Sequence, residues 1–584
     1  MSFAELVLRF ALALIVLISP GAALAWRFLR ALAAPERFVL ALAAGLAIAI
    51  YANFVLTLVN LNLASIAFVA AFGFCLLYLL AAFVKTKSRF SLRALSSYGW
   101  LVAIVSGAII LRLYPLYVSE YPGGADTVFH LILARKITLN GILPTDWTPF
   151  ETIAVNYTLG GHAFIAQISE LAGIPLHRAF ALIMVALAGM STALVYVIGK
   201  NFFGRDSLAR ASAFAYAFIA NLGSLDYYRW GGLPNETAMT LLLAAFALLW
   251  CARDRASGIF AAITFASIYF VHHHSMLVVF LLAASIVGAL WFTAQRDDAR
   301  RFAAIFALSL AIASFWLVPY ALRIGKLSET LITGFWIFFV RPWEIPTELG
   351  IVFTLLIIPG LIALARDWSR WRATRVLIWG VWTGVLLAAF FFLEYVYRAL
   401  TKLLTGNAVT VFTPEHFLTD AVYPLAFAAG WTLERAAEYF TRRFGARGKI
   451  LIATGAAALI IGVGGMIVSG QARVVIQPDE IALYDWIRAQ TAPNAMFLEN
   501  PMWLEYVTWR EGSLTPLPVT EPVNDPSVVF KENILKRRNW VEIAAWQKRT
   551  ARPLYFITQN EELNQAGWSQ VFFAGQWRVY QFSN

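Results

Sequence analysis

The sequence predicts a polytopic α-helical membrane protein of about fourteen transmembrane helices followed by a small C-terminal α/β domain. Three observations carry that expectation. Its 584 residues are 60% hydrophobic and 14% charged, with a mean hydropathy of +0.68, which excludes the soluble globular classes. Apolar runs close to the ~20 residues that cross a hydrocarbon core recur along the first 470 positions. The basic residues between those runs fall into alternate connectors, as the positive-inside rule requires.

Met1 opens an apolar run that ends Gly21-Ala22-Ala23-Leu24-Ala25. It resembles a signal peptide, but Arg9 is its one early cation and Arg27 and Arg30 follow directly, so a retained helix is expected. Further spans are expected at 36–59, 62–84, 99–118, 176–198, 208–225, 237–252, 259–275, 276–294, 302–322, 347–365, 376–397, 417–434 and 450–470. A tight hairpin at Ser275 separates two of them, and 160–172 is a candidate for partial insertion. With the connector carrying Lys85, Lys87, Arg89 and Arg93 inside, the other inner connectors hold Arg27 and Arg30; Lys200, Arg205 and Arg210; Arg253 and Arg255; Arg296, Arg300 and Arg301; Arg366, Arg370, Arg372 and Arg375; and Arg435, Arg442, Arg443, Arg447 and Lys449. Each of these connectors is basic, so both termini and the loop 119–175 are placed outside a plasma (inner) membrane. The net charge of +12 is thereby explained by orientation and requires no nucleic acid. Cys75 and Cys251, the two cysteines, lie in apolar runs and indicate no disulfide framework.

Costly polar groups then gather on the outer side, where they are functional candidates by default. Asp126 and His130 in Pro122-Gly123-Gly124-Ala125-Asp126-Thr127-Val128-Phe129-His130 would share one helical face, one turn apart. A plainer reading makes Asp126 an N-cap of an amphipathic helix. The same loop carries Glu120, Asp146, Glu151, Asn156, Tyr157 and His162, and the next outer loop carries Asp226, Arg229, Trp230 and Glu236. Later outer ends add His272, His273 and His274, then Arg323, Lys326, Arg341 and Glu344, then Glu394, Arg398, Lys402, Glu415, His416 and Asp420. Three consecutive histidines suggest a metal, yet neighbours on a helix point about 100° apart and cannot all face one ion. Arg398 and Lys402, one turn apart, suit a phosphate clamp or simple snorkelling to lipid headgroups.

A multi-span chain whose first long outer loop begins with an acid just past a helix, and whose second acidic outer loop follows two spans later, resembles the GT-C superfamily of membrane glycosyltransferases. By position, Asp126 matches the first-loop carboxylate, and Asp226, or else Glu236, the second acidic site. The resemblance implies a GT-C-like fold and a polyprenyl-phosphate sugar donor. It also implies Asp126 as general base or metal-associated residue, with a divalent ion as a conceivable cofactor. The stretch Pro478-Asp479-Glu480-Ile481-Ala482-Leu483-Tyr484-Asp485-Trp486-Ile487-Arg488 resembles the start of the extracytoplasmic domain of such proteins. There are departures. No Asp-x-Asp or Asp-Asp pair occurs in the first loop, the Trp-Trp-Asp-Tyr-Gly motif of oligosaccharyltransferases is absent, and three spans precede the first acidic loop where one is usual.

Sugar transfer from a lipid phosphate needs a base for the acceptor hydroxyl and cations for the departing phosphate. The expected base is Asp126, with Asp226 as a second catalytic acid. Arg229, Arg341, Arg398 or Lys402 are expected at the phosphate, and His130, Tyr157, Glu236, His272 and His416 around the substrates. The acceptor is a glycan, lipid or protein. Two other readings, a lipid-linked glycan transporter or flippase and a ligase or polymerase with a diphosphate donor, use similar residues. In the domain 471–584, 479–490 reads as an amphipathic helix, and 495–499, 553–558, 569–573 and 577–582 as strands. The Pro-rich stretch Pro516 to Pro526 reads as a loop.

Overall fold

The computed structural model describes residues 1–584 apart from 31, 61–72, 74, 76, 79–80, 82–91, 151–153, 156, 224–228, 252–253, 326–339, 367–372, 407–413, 471–475, 499–500, 513–539 and 584. The expected span 62–84, Asp226, Lys326, the acidic Glu151 and the Pro516–Pro526 loop therefore lie outside the described residues or almost wholly so. Among the described residues nine helices are long and apolar enough to cross a membrane, and two shorter apolar helices accompany them. The protein is a multi-pass membrane protein.

Helices α1 (Phe3–Phe28) and α2 (Ala34–Leu58) form a hairpin that the sequence alone does not explain. They cross at glycines, because a Cβ on Gly45 would stand 2.5 Å from the Ile18 carbonyl oxygen and one on Gly21 would stand 2.8 Å from Gly45 Cα. Next come α3 (Leu92–Val118), α4 (Ala125–Asn140), α5 (Gly160–Ala172) and α6 (Leu176–Phe202). Asn53 of α2 donates to the Ala163 carbonyl at 3.1 Å, so the N-terminal hairpin braces α5 from behind. The 160–172 segment is a buried thirteen-residue helix.

Helix α7 (Asp206–Phe218) is shorter than the expected span 208–225, because the chain leaves helical geometry after Phe218 and turns through Gly223. Helices α8 (Leu233–Cys251), α9 (Arg255–Val271) and α10 (His273–Phe292) follow. The hairpin lies at His272, in extended geometry, and not at the expected Ser275. With no glycine or proline there, the break is invisible to local propensity. Then come α11 (Arg296–Gly325), a short α12 (Ile345–Leu349), α13 (Ile351–Arg366), α14 (Ala373–Phe391), a π-helical turn at Phe392–Tyr397, and α15 (Arg398–Thr405). Helix α16 (Pro414–Gly470) joins the last two expected spans and departs from helical geometry at Gly445.

The C-terminal region follows its sequence pattern closely. Helix α17 (Pro478–Gln490) and strands β1 (Met496–Leu498), β2 (Leu554–Gln559), β3 (Trp568–Ala574) and β4 (Trp577–Phe582) build a four-stranded sheet in the order β1-β2-β4-β3. The β1–β2 pair is parallel and the others antiparallel. Helices α18 (Leu504–Thr508) and α19 (Trp540–Thr550) complete the described part. This region is seated on α4 and its flanks. Trp503 lies 4.5 Å from Tyr121, Trp509 lies 5.0 Å from Phe150, and Arg135 stacks over Trp509 at 4.5 Å.

Candidate active site

Two glycine pairs set the site. Gly124 precedes α4 with φ +95°, and a Cβ there would fall 2.1 Å from the Trp230 carbonyl carbon. Gly231 has φ +91°, and a Cβ there would fall 2.3 Å from Thr127 Oγ1. Each loop thus occupies the space a side chain of the other would need, and both glycines hold a backbone conformation that other residues adopt only under strain. The two loops close on each other backbone to backbone. Thr127 Oγ1 secures the turn by donating to the Gly123 carbonyl at 2.6 Å.

Asp126 sits at this closure, in the first turn of α4. The N-cap is Gly124 and makes no side-chain capping bond, so Asp126 does not play the capping part. It is half-buried, and burial pushes its carboxyl up to about 6. Tyr157 is buried within electrostatic reach of it, its hydroxyl held well above the usual range by burial first and then by Asp126 and Tyr320.

Beneath Asp126 the structure gathers six of the chain's seven histidines. His130 Nδ1 and His162 Nε2 are 3.0 Å apart, joining α4 to α5. Burial, with His162 and His273 nearby, pushes the His130 imidazole well below its ordinary range. Tyr157 packs on both rings, at 5.6 and 5.5 Å, and on His273 at 5.2 Å. His272 is 6.0 Å from His416, which stacks on Trp230 of the second loop at 4.9 Å. His272 Nδ1 also meets Ser275 Oγ at 3.1 Å, and Ser275 donates to Asn235 at 2.8 Å. His274 Nε2 is 3.5 Å from Asp420 Oδ2. The consecutive histidines straddle the α9–α10 break, so they fan out to different neighbours. Among the described residues no three His, Cys, Asp or Glu side chains converge as a set that would hold a metal ion.

Glu236 lies one layer deeper, fully buried, and among the described residues neither carboxylate oxygen has a hydrogen bond. Arg112 is the charge that acts on it, and Arg112 also lies in range of Tyr216 and Tyr423. Arg112 was absent from the sequence-based candidates although its signal was present: it is the lone charged residue in the run 99–118. The other expected cations lie on a separate stretch of rim. Arg398 pairs with buried Glu394 at 3.3 Å, and Glu394 accepts from the Val340 amide at 2.8 Å. Arg341 is exposed beside Glu344, and Lys402 is exposed. The Arg229 backbone reaches the Asp126 loop, its carbonyl 3.6 Å from where a Gly123 Cβ would stand.

No protein-family profile and no curated protein matches the sequence. Solved structures do. ArnT from Cupriavidus metallidurans in the apo state matches with a TM-score of 0.58 and 13% identity, covering 83% of this chain and 98% of that one. The same protein bound to undecaprenyl phosphate gives 0.53 and 12% over the same shares. The Archaeoglobus fulgidus oligosaccharyltransferase AglB, in complex with an inhibitory peptide and a dolichol-phosphate, gives 0.55 and 12% over 79% of this chain and 69% of that one. Arabinofuranosyltransferase AftD from Mycobacteria gives 0.52 and 14% over 83% and 40%. This chain has the GT-C fold. The likeness is one of architecture.

Proposed function

We propose that the protein is a membrane glycosyltransferase that moves a sugar from a polyprenyl-phosphate donor to an acceptor hydroxyl, with its chemistry on the extracytoplasmic side. One observation carries the reading: Asp126 is a half-buried carboxyl at the closure of two outer loops, with burial as the sole cause of its shift to about 6. A base near 6 is ionised at neutral pH yet basic enough to take a proton as a bond forms. Supporting it, one solved structure of the same fold is bound to undecaprenyl phosphate and another to a dolichol-phosphate.

In the proposed step the acceptor oxygen bonds to the anomeric carbon while its proton passes to Asp126. The bond from that carbon to the phosphate oxygen breaks, and the polyprenyl phosphate leaves with the electron pair. Attack opposite the leaving group inverts the anomeric centre. Arg229, beside the Asp126 loop, is the cation best placed to stabilise charge on the departing phosphate. The exposed Arg341 and Lys402 suit an anionic headgroup, while Arg398 is paired with Glu394. Asp226, outside the described residues, keeps its expected part as a second catalytic acid. His130, held neutral by burial and bonded to His162, supports the α4 face below Asp126. No step is routed through a metal ion.

The test uses purified protein in nanodiscs. It is given a radiolabelled polyprenyl-monophosphate sugar and, separately, a diphosphate-linked glycan. Release of labelled sugar from the monophosphate, lost in Asp126→Asn, is the expected result. Turnover of the diphosphate alone would assign a ligase or polymerase. Translocation of either lipid without cleavage would assign a transporter.

A further inference from the structure

The far end of α4 carries a feature that the transfer step leaves unused. A cavity of about 360 Å³ opens there, between the 139–149 stretch of the first outer loop and Trp509 of the C-terminal region. That is within the range of about 300–1,000 Å³ that ordinary ligand sites occupy. Its polar lining comes from Lys136, Asn140, Thr145, Asp146 and Thr148, and its aromatic wall from Trp509.

These groups are held in place before any ligand arrives. Lys136 is buried, and its ammonium donates to the Thr148 carbonyl and stands 3.9 Å from Asp146. Asp146 accepts from the Thr148 amide at 2.9 Å and from the Thr145 hydroxyl at 3.3 Å. The Val155 amide ties back to the Thr145 carbonyl at 2.9 Å. Trp509 ends α18 in the left-handed region, φ +57°, where glycine or asparagine is the inexpensive choice. A bulky residue kept in that conformation points to use of its ring. Arg135 covers Trp509 at 4.5 Å and Phe150 meets it edge-on at 5.0 Å, which fixes the plane of the indole.

The chemistry selects the ligand. An indole wall suits the apolar C–H face of a sugar ring, while hydroxyls need donors and acceptors side by side. Lys136 and Asn140 donate; Asp146 and Asn140 accept. An anionic ligand would meet the Asp146 carboxylate, and a purely apolar one would cover the half-exposed Asp146 carboxylate and the Asn140 amide. A neutral saccharide satisfies both. The position sets its length: Lys136 follows Asp126 by ten residues on one helix, about 15 Å along the axis. A molecule reaching both points extends over several sugar units.

We propose that this cavity is an acceptor subsite that binds a distal unit of an oligosaccharide or polysaccharide while a hydroxyl nearer its end lies at Asp126. The subsite rests on the glycosyltransferase reading for its purpose, but binding to it does not require turnover. The acceptor class is thereby a glycan, held partly by the C-terminal region.

The experiment separates the two claims. Saturation-transfer NMR on the full-length protein in nanodiscs, without donor, is run against mannotetraose, cellotetraose, chitotetraose and xylotetraose. At least one is expected to receive saturation, and the signal is expected to fall by half or more in Trp509→Ala, Asn140→Ala and Asp146→Asn. Asn140 is exposed and its replacement leaves the docking contacts of Trp509 untouched, so a folding defect in Trp509→Ala does not blunt the test. In transfer assays the preference for the bound tetrasaccharide over its monosaccharide, measured as the ratio of KM values, is expected to drop about tenfold in the same variants. No saturation of any of the four, or equal signal in all the variants, overturns the subsite whether or not sugar transfer is observed. Saturation that depends on these residues, together with failure to cleave the donor, would leave the glycan site standing and sink the proposed reaction instead.

Discussion

The two ends of the helical bundle treat their carboxylates in opposite ways. At the end rich in arginine, acids are matched to bases. Glu36 meets Lys200 at 2.5 Å, Glu434 meets Arg205 at 2.8 Å, Asp206 pairs with Arg210, and Glu438 serves Arg205, Arg435 and Arg442. At the opposite end, Asp126 has its shift from burial alone, and Glu236 is fully buried with Arg112 as the charge that acts on it and, among the described residues, no hydrogen bond to either oxygen. Burying a carboxylate without hydrogen bonds to its oxygens is unfavourable, and proteins tolerate it where the group has a task other than stability. The paired end holds the bundle together; in the proposed reaction the other end keeps charge available to substrate. A milder version of the contrast runs along the Asp126 end itself, where Arg398 and Glu394 brace the chain at Val340.

The largest effect that could break this contrast is at the loop closure. Gly231→Ala would place a Cβ 2.3 Å from Thr127 Oγ1 and 2.5 Å from its amide nitrogen, in a left-handed conformation. Sugar transfer is expected to fall below detection, with a lowered melting temperature in detergent. Wild-type activity in that variant would show that the two loops need not close for the chemistry.

The next effect is on stability and has a definite sign. The Asp126 carboxyl titrates near 6 in the folded protein, above its ordinary range, so the folded state holds more protons between about pH 4 and 6. Its contribution is neutral below that window and becomes destabilising as pH rises through it. Asp126→Asn removes the penalty. After discounting for partial exposure, the variant is expected to be more stable than wild type by roughly 1–2 kcal/mol at pH 7.5 and no different at pH 4. A melting series across that range in nanodiscs reads it, and a variant less stable at pH 7.5 would mean that Asp126 has a structural partner.

Smaller still is the His130–His162 contact. His162→Phe keeps the aromatic packing against Tyr157 but leaves His130 Nδ1 without its partner, at a cost of about 1–3 kcal/mol. Transfer is expected to drop about tenfold, with the donor KM little changed. At the paired end, Arg205→Ala should lower stability by about 1 kcal/mol and leave transfer rates within twofold. Loss of turnover there, with the fold intact, would erase the distinction between the two ends.

How far the sequence reaches into this structure depends on the range of the interaction. Apolar runs and alternating strands are local patterns, and the expected helix at 479–490 and strands at 553–558 and 577–582 lie almost where the chain forms them. The Asp126–His130 spacing is local too, and both side chains lie on α4. The histidine cluster is not local: it joins His130, His162, His272 to His274 and His416 from elements far apart in the chain, and no single stretch announces it. The meeting of Gly124 with Gly231 is equally long-range, since each glycine alone reads as an ordinary turn. The break at His272 has neither glycine nor proline to mark it. Arg112 was legible as a lone charge inside an apolar run and Glu236 as an acid of the second loop, but that Arg112 is the charge acting on Glu236 was not.

The most direct measurement is the pH dependence of single-turnover transfer from a radiolabelled polyprenyl-monophosphate sugar, wild type beside Asp126→Asn. With Asp126 as base, the wild-type rate climbs as pH passes through about 6 and levels above it. The variant is slower by at least about 100-fold and loses that inflection while binding the lipid donor as before. A variant that transfers sugar at the wild-type rate, or a wild-type profile flat from pH 5 to 8, would contradict the assignment.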